Sequence, residues 1–230
     1  MKAMWCVTVA ALLSSSAVYA QISTGERDRV QKAAEVVTAL RDAPDKGIPE
    51  ELWDKANCVV VLPGVKKAAF GIGGEFGKGV MSCRTAAGWS APVFMEMAKG
   101  SFGFQIGGQE ADLVMLVMNR QGIDKMLKDK VTLGADASVS AGPVGRTGAA
   151  ATDARLNAQI LSYSRSRGLF AGIDVSGGVL RPDKSANANA YGATVVPFDV
   201  VNDASVRVPA QATVFVNALG ANVRATTGQR

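Results

Sequence analysis

Residues 58–83 read CVVVLPGVKKAAFGIGGEFGKGVMSC, and this stretch decides how the chain folds. Its β-branched start predicts a strand that ends at the turn signal Pro63-Gly64. Five more glycines follow, and we expect residues 68–75 and 78–84 to form a glycine-rich hairpin. Because glycine in a strand permits a bend or the close approach of another backbone, the stretch predicts tightly packed antiparallel sheet.

Helical patterns flank this stretch on both sides. Apolar residues recur at helical spacing over residues 24–42, which predicts a helix capped at Thr24. Because its charges are mixed and its apolar side chains are small, we expect it to pack in the core; a helix on a membrane surface is the alternative. Shorter helices are expected to start at Pro49 and to cover residues 123–127 and 209–219.

Strand patterns recur further along the chain. They cover residues 89–97, 113–118, 160–164 and 169–175. Residues 99–101 predict a turn, and the polar residues 181–190 predict a loop. The order of helices and strands predicts an α+β fold, with N-terminal helices packed on antiparallel, glycine-rich β-sheets as a sandwich or a partly closed barrel.

The composition excludes several classes of protein. With 48% hydrophobic and 20% charged residues, the chain as a whole is not disordered. The formal net charge of +5 permits an anionic partner without requiring one. The absence of histidine excludes His-based catalytic triads and imidazole metal sites. The carboxylates form no run with the spacing of metal ligands, so we expect no metal and no cofactor.

Two short motifs resemble enzyme signatures but lack the required context. The glycines of residues 71–77 precede a strand pattern, whereas a dinucleotide-binding loop opens a helix. Residues 88–92, GWSAP, lack the last glycine of a nucleophile elbow, and no histidine is present to activate Ser90. We therefore do not expect an enzyme, and we keep a hydrolase only as a third alternative.

Residues 1–20 have the pattern of a secretory signal peptide. Lys2 is their only charge, an apolar run follows it, and Val18-Tyr19-Ala20 supplies small residues at positions −3 and −1 of a cleavage site. The apolar run is too short to span a bilayer. We therefore expect cleavage after Ala20 and a periplasmic or secreted protein; a buried N-terminal helix is the alternative.

Cleavage at that site leaves two cysteines. Cys6 is removed, and Cys58 and Cys83 remain. Two cysteines in an exported protein predict one disulfide, and two buried thiols are the alternative. A zinc site is not expected, because two thiolates without histidine leave the coordination of zinc incomplete.

Basic residues at expected turns are the candidate binding residues. They are Lys66, Lys67, Arg146, Arg165 and Arg167. Cations exposed on loops form charge-assisted hydrogen bonds with phosphates, and arginine does so with two parallel bonds. Ordinary solvated loop charge is the alternative for each of them. Export, the small net charge and the few aromatic residues near these bases argue against nucleic acid as a partner.

Eight motifs follow one another in an order typical of one family. They are IPEEL (48–52), VVVLP (59–63), FGIGG (70–74), GWSAP (88–92), GSFGFQIG (100–107), LGAD (133–136), AGPVGR (141–146) and YSRSRGLFAG (163–172). Together they resemble the SYLF-domain family, also called the Ysc-type actin-binding domain. The resemblance indicates a single domain over residues 21–230, with a core of about residues 30–195 and a C-terminal extension at 196–230.

The resemblance implies a non-enzymatic lipid-binding module that prefers phosphoinositides or other anionic lipids. Eukaryotic relatives couple the domain to other domains and to actin at membranes. Because the signal peptide predicts a bacterial periplasm, we expect an anionic lipid at a membrane surface of the cell envelope as the partner, and not actin. An envelope protein–protein interaction module is the alternative. The resemblance does not identify which residues contact lipid.

A signal peptide at residues 1–20 implies that the exported protein begins at Gln21. Its intact mass should equal that of residues 21–230, because signal peptidase cuts after the small residue Ala20. Mass spectrometry of the protein from a secreting host measures this directly. A mature protein that retains Met1 would contradict both the signal peptide and the predicted compartment.

Overall fold

One pair of long strands dominates the fold. The structure is a computed structural model that describes residues 22–43, 47–144, 158–166, 169–203 and 205–221. Strand β1 (Cys58–Thr85) pairs antiparallel with strand β3 (Val93–Val117), and we call this pair the ribbon. The other strands are β2 (Gly88–Trp89), β4 (Val131–Thr132), β5 (Val139–Ala141), β6 (Ile160–Ser166), β7 (Leu169–Gly172) and β8 (Val179–Pro182). The helices are α1 (Thr24–Arg41), α2 (Glu50–Lys55), α3 (Arg120–Lys128), α4 (Lys184–Tyr191), α5 (Pro197–Asn202) and α6 (Thr213–Gly220).

These strands form one mixed sheet. The strand order is β2-β1-β3-β6-β5, while β7 also pairs with β6 and β8 connects β3 to β4. The β5–β6 pair is parallel, and the other pairs are antiparallel. The sheet curls into a half-barrel. This architecture confirms the predicted α+β class and the partly closed barrel, although one pair departs from the expected antiparallel pattern.

Strand β1 folds back on itself, so that its two ends lie side by side. The backbone N–H of Arg84 donates to the carbonyl of Asn57 at 2.7 Å. The Cα atoms of Cys58 and Cys83 are 3.9 Å apart, and the predicted disulfide joins them. The prediction of a separate strand and hairpin over residues 58–84 is wrong, because one continuous strand passes through the bend.

Glycine makes this bend possible, because the two halves of β1 touch along their backbones. A Cβ atom at Gly79 would lie 1.8 Å from the carbonyl oxygen of Val61, a separation that real Cβ atoms do not show. A Cβ atom at Gly77 would lie 2.6 Å from Cγ2 of Val65. Position 79 therefore accepts only a hydrogen atom as its side chain.

The turns predicted within the ribbon are also wrong. Pro63-Gly64 lies in a β-bulge of β1 rather than at a strand end. Gly64 adopts a φ of +59°, and its N–H donates to Oδ1 of Asp112 on β3 at 3.0 Å. Residues 99–101 lie within β3, where pairing with β1 continues on both sides. These glycines mark a bulge and a bend, because neighbouring strand pairs hold the chain extended.

The ribbon buries side chains on both faces. One hydrophobic cluster joins α1, α2, α4 and α6 to the face that carries Val61 and Phe94. A second cluster joins α3 and α5 to the face that carries Met81 and Met97. Residues 113–117 alternate between the two clusters, which confirms the predicted strand buried on both faces.

Helix α1 packs in the core, as its apolar stripe predicts. The buried residues of that stripe are Val30, Ala33, Ala34, Val37 and Leu40. The cap is Ser23 and not Thr24: the N–H of Glu26 donates to Ser23 Oγ at 3.3 Å, and the N–H of Ser23 donates to Glu26 Oε2 at 2.6 Å. This capping box satisfies backbone donors at the helix start. Among the residues described, no helix is long and apolar enough to cross a membrane.

Residues 181–190 complete β8 and form most of α4, so the predicted loop is wrong. The side chain of Asp183 caps the helix by accepting from the N–H of Ala186 at 3.2 Å. Asn187 is buried, accepts from the N–H of Phe94 at 2.9 Å and donates to the carbonyls of Phe94 and Asp183 at 2.8 Å. The polar residues misled the prediction because their hydrogen bonds are satisfied inside the protein.

Replacing Gly79 by alanine should destabilise the protein strongly. The new methyl group would overlap the Val61 carbonyl, which cannot move aside because it belongs to paired backbone. We therefore expect the free energy of unfolding to fall by about 3 kcal/mol. Gly74→Ala is the matched control, because its new Cβ atom would lie at an ordinary distance of 3.6 Å from the Lys99 carbonyl oxygen. Its free energy of unfolding should change by no more than about 1 kcal/mol. Urea unfolding measures both, and equal midpoints for the two variants would contradict the fold-back of β1.

Candidate functional site

A cleft of about 320 Å³ lies along the inner face of the bent ribbon. Its buried apolar lining consists of Val65, Met97, Leu113 and Val175. Its charged lining consists of Lys67, Glu75, Lys99, Asp112 and Asp174. We call it the ribbon cleft. It combines an apolar surface with charges of both signs, an arrangement suited to binding a charged group attached to an apolar body.

The two lysines of the ribbon cleft have carboxylate neighbours. Nζ of Lys67 lies 3.1 Å from Oε1 of Glu75, and Glu75 stands directly opposite Lys99 in the ribbon. Hydrogen bonds from the hydroxyl and the backbone N–H of Ser176 lower the pKa of Asp174, and the charge of Lys99 lowers it further. An anion that enters the cleft therefore competes with the side chains of Glu75 and Asp174 for the lysines.

Lys66 lies on the opposite face of the ribbon from Lys67. The register places it beside Glu110 of β3, and its side chain is exposed. Within the described parts of the chain, Lys66 forms no salt bridge. Since successive strand residues point to opposite faces, these two adjacent lysines present their charges to different surroundings.

Arg165 borders the ribbon cleft from strand β6. Its Nη1 lies 3.4 Å from Oδ2 of Asp112, which itself lines the cleft. The structure therefore brings Lys67 and Arg165 to the same region. Arg146 and Arg167 lie outside the described residues. The lipid-binding role of all these residues stays a prediction.

Sequence reasoning missed Lys99 and Glu75. Lys99 lies in the turn predicted at residues 99–101, and no sequence pattern marks Glu75. Once β1 and β3 are known to be continuous, the pairing of Glu75 with Lys99 places both on the face of Lys67. A search for opposite charges at paired positions of two long strands would have found them.

The chemistry of the ribbon cleft is that of ammonium and carboxylate groups. In the parts of the chain that the structure covers, no group of three or more His, Cys, Asp or Glu residues is placed to hold a metal ion. Lysine ammonium groups form short, charge-assisted hydrogen bonds with phosphate and carboxylate oxygens. Because three carboxylates and two lysines line the cleft, an anion gains affinity only where it displaces a carboxylate from a lysine, and that affinity falls as salt rises.

A second charged cluster connects the helices to the ribbon. The side chain of Asp183 is 4% exposed and lies 3.1 Å from Arg29 on α1 and 2.9 Å from Lys78 on β1. Burial alone would raise the pKa of Asp183, but hydrogen bonds from Lys78, Ser185, the Ala186 N–H and Arg29 outweigh it and hold the pKa well below its usual range. Asp183 already contacts α1, β1 and the first turn of α4. We therefore assign this cluster to stability and not to binding.

The structure thus combines a half-barrel sheet with a cleft lined by charges of both signs. The family described as "Ysc84: Las17-binding protein actin regulator" matches residues 98–222. The chain therefore belongs to the Ysc84 family, which confirms the resemblance to SYLF domains.

Curated relatives support the same assignment. SH3 domain-containing YSC84-like protein 1 of Rattus norvegicus is 33% identical over 198 residues, which cover 83% of this chain and 58% of that protein. The Homo sapiens protein of the same name is 32% identical, with 83% and 57% covered. LAS seventeen-binding protein 3 of Saccharomyces cerevisiae (strain ATCC 204508 / S288c) is 33% identical over 176 residues, with 72% and 38% covered. The chain thus spans 58% or less of the length of these relatives.

Asp183 should make the stability of the protein depend on acidity. Its folded-state pKa is lowered, so its contribution is complete above the ordinary pKa of an unfolded aspartate, about 4, and is lost as the pH falls below that value. Asp183→Asn should therefore lower the free energy of unfolding by roughly 1.5–3 kcal/mol at pH 7, and by progressively less towards pH 2.

Urea unfolding of wild type and variant across this pH range measures the difference. Asp28→Asn is the matched control, because Asp28 is exposed on α1 and should change little at any pH. A difference between wild type and Asp183→Asn that stays constant with pH would contradict the lowered pKa of Asp183.

Proposed function

We propose that this chain is a non-enzymatic module that binds anionic lipid headgroups at a membrane surface in the cell envelope. In this proposal, residues 1–20 direct export and the domain acts in the periplasm or outside the cell. Membership of the Ysc84 family supports a binding role. The lipid, the compartment and the absence of catalysis are parts of the proposal.

The observation that carries the proposal is the placement of lysines on both faces of the bent ribbon. Lys66 is exposed on one face, and Lys67 and Lys99 line the cleft on the other. Near an anionic membrane each such cation contributes about 1 kcal/mol at physiological salt. The apolar lining of the ribbon cleft adds a surface on which the part of the lipid next to its headgroup can rest.

Removing single lysine charges tests whether the ribbon lies close to the membrane. Lys66→Gln and Lys67→Gln should each weaken binding to anionic vesicles about fivefold, because each removes about 1 kcal/mol of attraction. Lys55→Gln is the matched control, since this exposed lysine lies at the end of α2 and outside the cleft. Co-sedimentation with vesicles of phosphatidylcholine, alone or mixed with phosphatidylglycerol, measures the effect.

Glu75→Gln provides the opposite test. It removes the carboxylate that holds Lys67 at 3.1 Å, so Lys67 becomes available and binding to anionic vesicles should strengthen. Added salt should weaken binding of every variant. Equal binding of wild type to neutral and anionic vesicles, or equal losses for Lys55→Gln, Lys66→Gln and Lys67→Gln, would show that the headgroup mechanism at the ribbon is wrong.

A protein partner in the envelope is the second candidate function. Its specific support is Leu169, which is 65% exposed at the start of the short strand β7. The family description and the yeast relative's name refer to Las17 or LAS seventeen binding, a property of those proteins. Leu169→Ser should abolish capture of such a partner and leave vesicle binding unchanged.

A further inference from the structure

A separate groove of about 540 Å³ lies between α3, α4 and α5. Leu127 of α3, Ala188 of α4 and Phe198 of α5 contribute to its lining, and Val196, which is 50% exposed, lies beside them. A groove of this volume is in the size range of small-molecule sites. Of the residues described, none lines both this groove and the ribbon cleft.

The surface that the groove offers to a ligand is apolar apart from two lysines. Asn187 lines the groove, but its side chain already makes three hydrogen bonds, to the N–H and carbonyl of Phe94 and to the carbonyl of Asp183. Both of its N–H donors are therefore used, and its amide oxygen already accepts one hydrogen bond. The other lining residues apart from the lysines have hydrocarbon or aromatic side chains.

The two lysines give the groove a positive charge. Nζ of Lys128 lies 5.2 Å from the centre of the Phe198 ring, which holds the ammonium group over the apolar wall. Lys184 is exposed at the first turn of α4. Among the residues that the structure describes, no carboxylate lines the groove and neither lysine forms a salt bridge. This contrasts with the ribbon cleft, where three carboxylates accompany two lysines.

We propose that this groove binds a single-chain anionic amphiphile, namely the free carboxylate of a fatty acid. The alkyl chain lies against Leu127, Val196 and Phe198, and the carboxylate pairs with Lys128 and Lys184. Charge complementarity selects this occupant, because an apolar surface next to unbalanced ammonium groups matches an alkyl chain with one anionic end. The inference does not rest on headgroup binding at the ribbon.

A chain-length series of fatty acids tests the apolar part of the groove. Hexanoate, octanoate and decanoate, titrated below micelle formation into the full exported chain by isothermal titration calorimetry, should bind about threefold to fourfold more tightly for each added methylene group. Acetate should not bind measurably. Equal affinities along the series would overturn the proposal.

Charge is tested with a ligand of opposite sign and with lysine variants. Decyltrimethylammonium should bind more weakly than decanoate, and Lys128→Gln and Lys184→Gln should each weaken decanoate binding about 1.5-fold to fivefold. Lys130→Gln is the matched control, since Lys130 is exposed and does not line the groove. Decyltrimethylammonium binding as tightly as decanoate would overturn the assignment of an anionic ligand.

Val196→Asp tests whether decanoate binds in the groove, with a substitution that should not destabilise the protein. Val196 is the N-cap residue of α5, a position where aspartate is favoured, so the variant should fold normally while its carboxylate repels the ligand. Its affinity for decanoate should fall at least about tenfold. Val214→Asp is the matched control: Val214 is 36% exposed on α6, and this variant should bind decanoate as the wild type does. Unchanged decanoate binding by Val196→Asp would overturn the site.

The ribbon variants distinguish the two proposals. Lys67→Gln should leave decanoate binding unchanged, and Val196→Asp should leave vesicle binding unchanged. Failure of vesicle binding together with intact decanoate binding would reject the headgroup proposal alone. Loss of decanoate binding in Lys67→Gln would show that the groove is not a separate site and would overturn the inference.

Discussion

The contact between Gly79 and the carbonyl of Val61 is the constraint on which the rest of the structure depends. It allows one strand to lie against itself, and the curl of the whole sheet follows from that closeness. The sheet separates two hydrophobic clusters, one under α1 and α6 and the other under α3 and α5. The bend also makes one face of the ribbon concave. It brings Lys67 and Glu75 into contact, because on a flat ribbon these two residues would lie far apart along the strand.

The class of fold was predictable from the sequence, but the path of the chain was not. The spacing of apolar residues located α1 and the buried run at residues 113–117, because these signals depend only on which side chains avoid water. Pro63-Gly64 misled the prediction, because the same dipeptide suits a turn or a bulge and only the pairing partner decides between them. The polar sequence of α4 does not look like a packed helix, because Asn187 finds its partners on β3 and at Asp183, while Asp183 finds its own on α1, on β1 and in the first turn of α4.

The candidate site was predictable as a set of charges but not as an arrangement. Residue type identified Lys66, Lys67 and Arg165, since a basic residue at an expected turn is visible in the sequence. Which face each lysine occupies depends on the bulge at Pro63-Gly64, because one extra residue reverses the side-chain alternation after it. The groove at α3, α4 and α5 brings together residues far apart in the chain, and no local pattern marks it.

The disulfide between Cys58 and Cys83 makes the bend of β1 a covalent ring. Lys66, Lys67 and Glu75 all lie on this ring, between the two cysteines. A protease that cuts one peptide bond inside it leaves both ends attached to the protein, so the two halves of the strand stay linked to each other and paired with β3. In a compartment rich in proteases, such a nicked molecule would keep its shape and would be found as two fragments only after reduction.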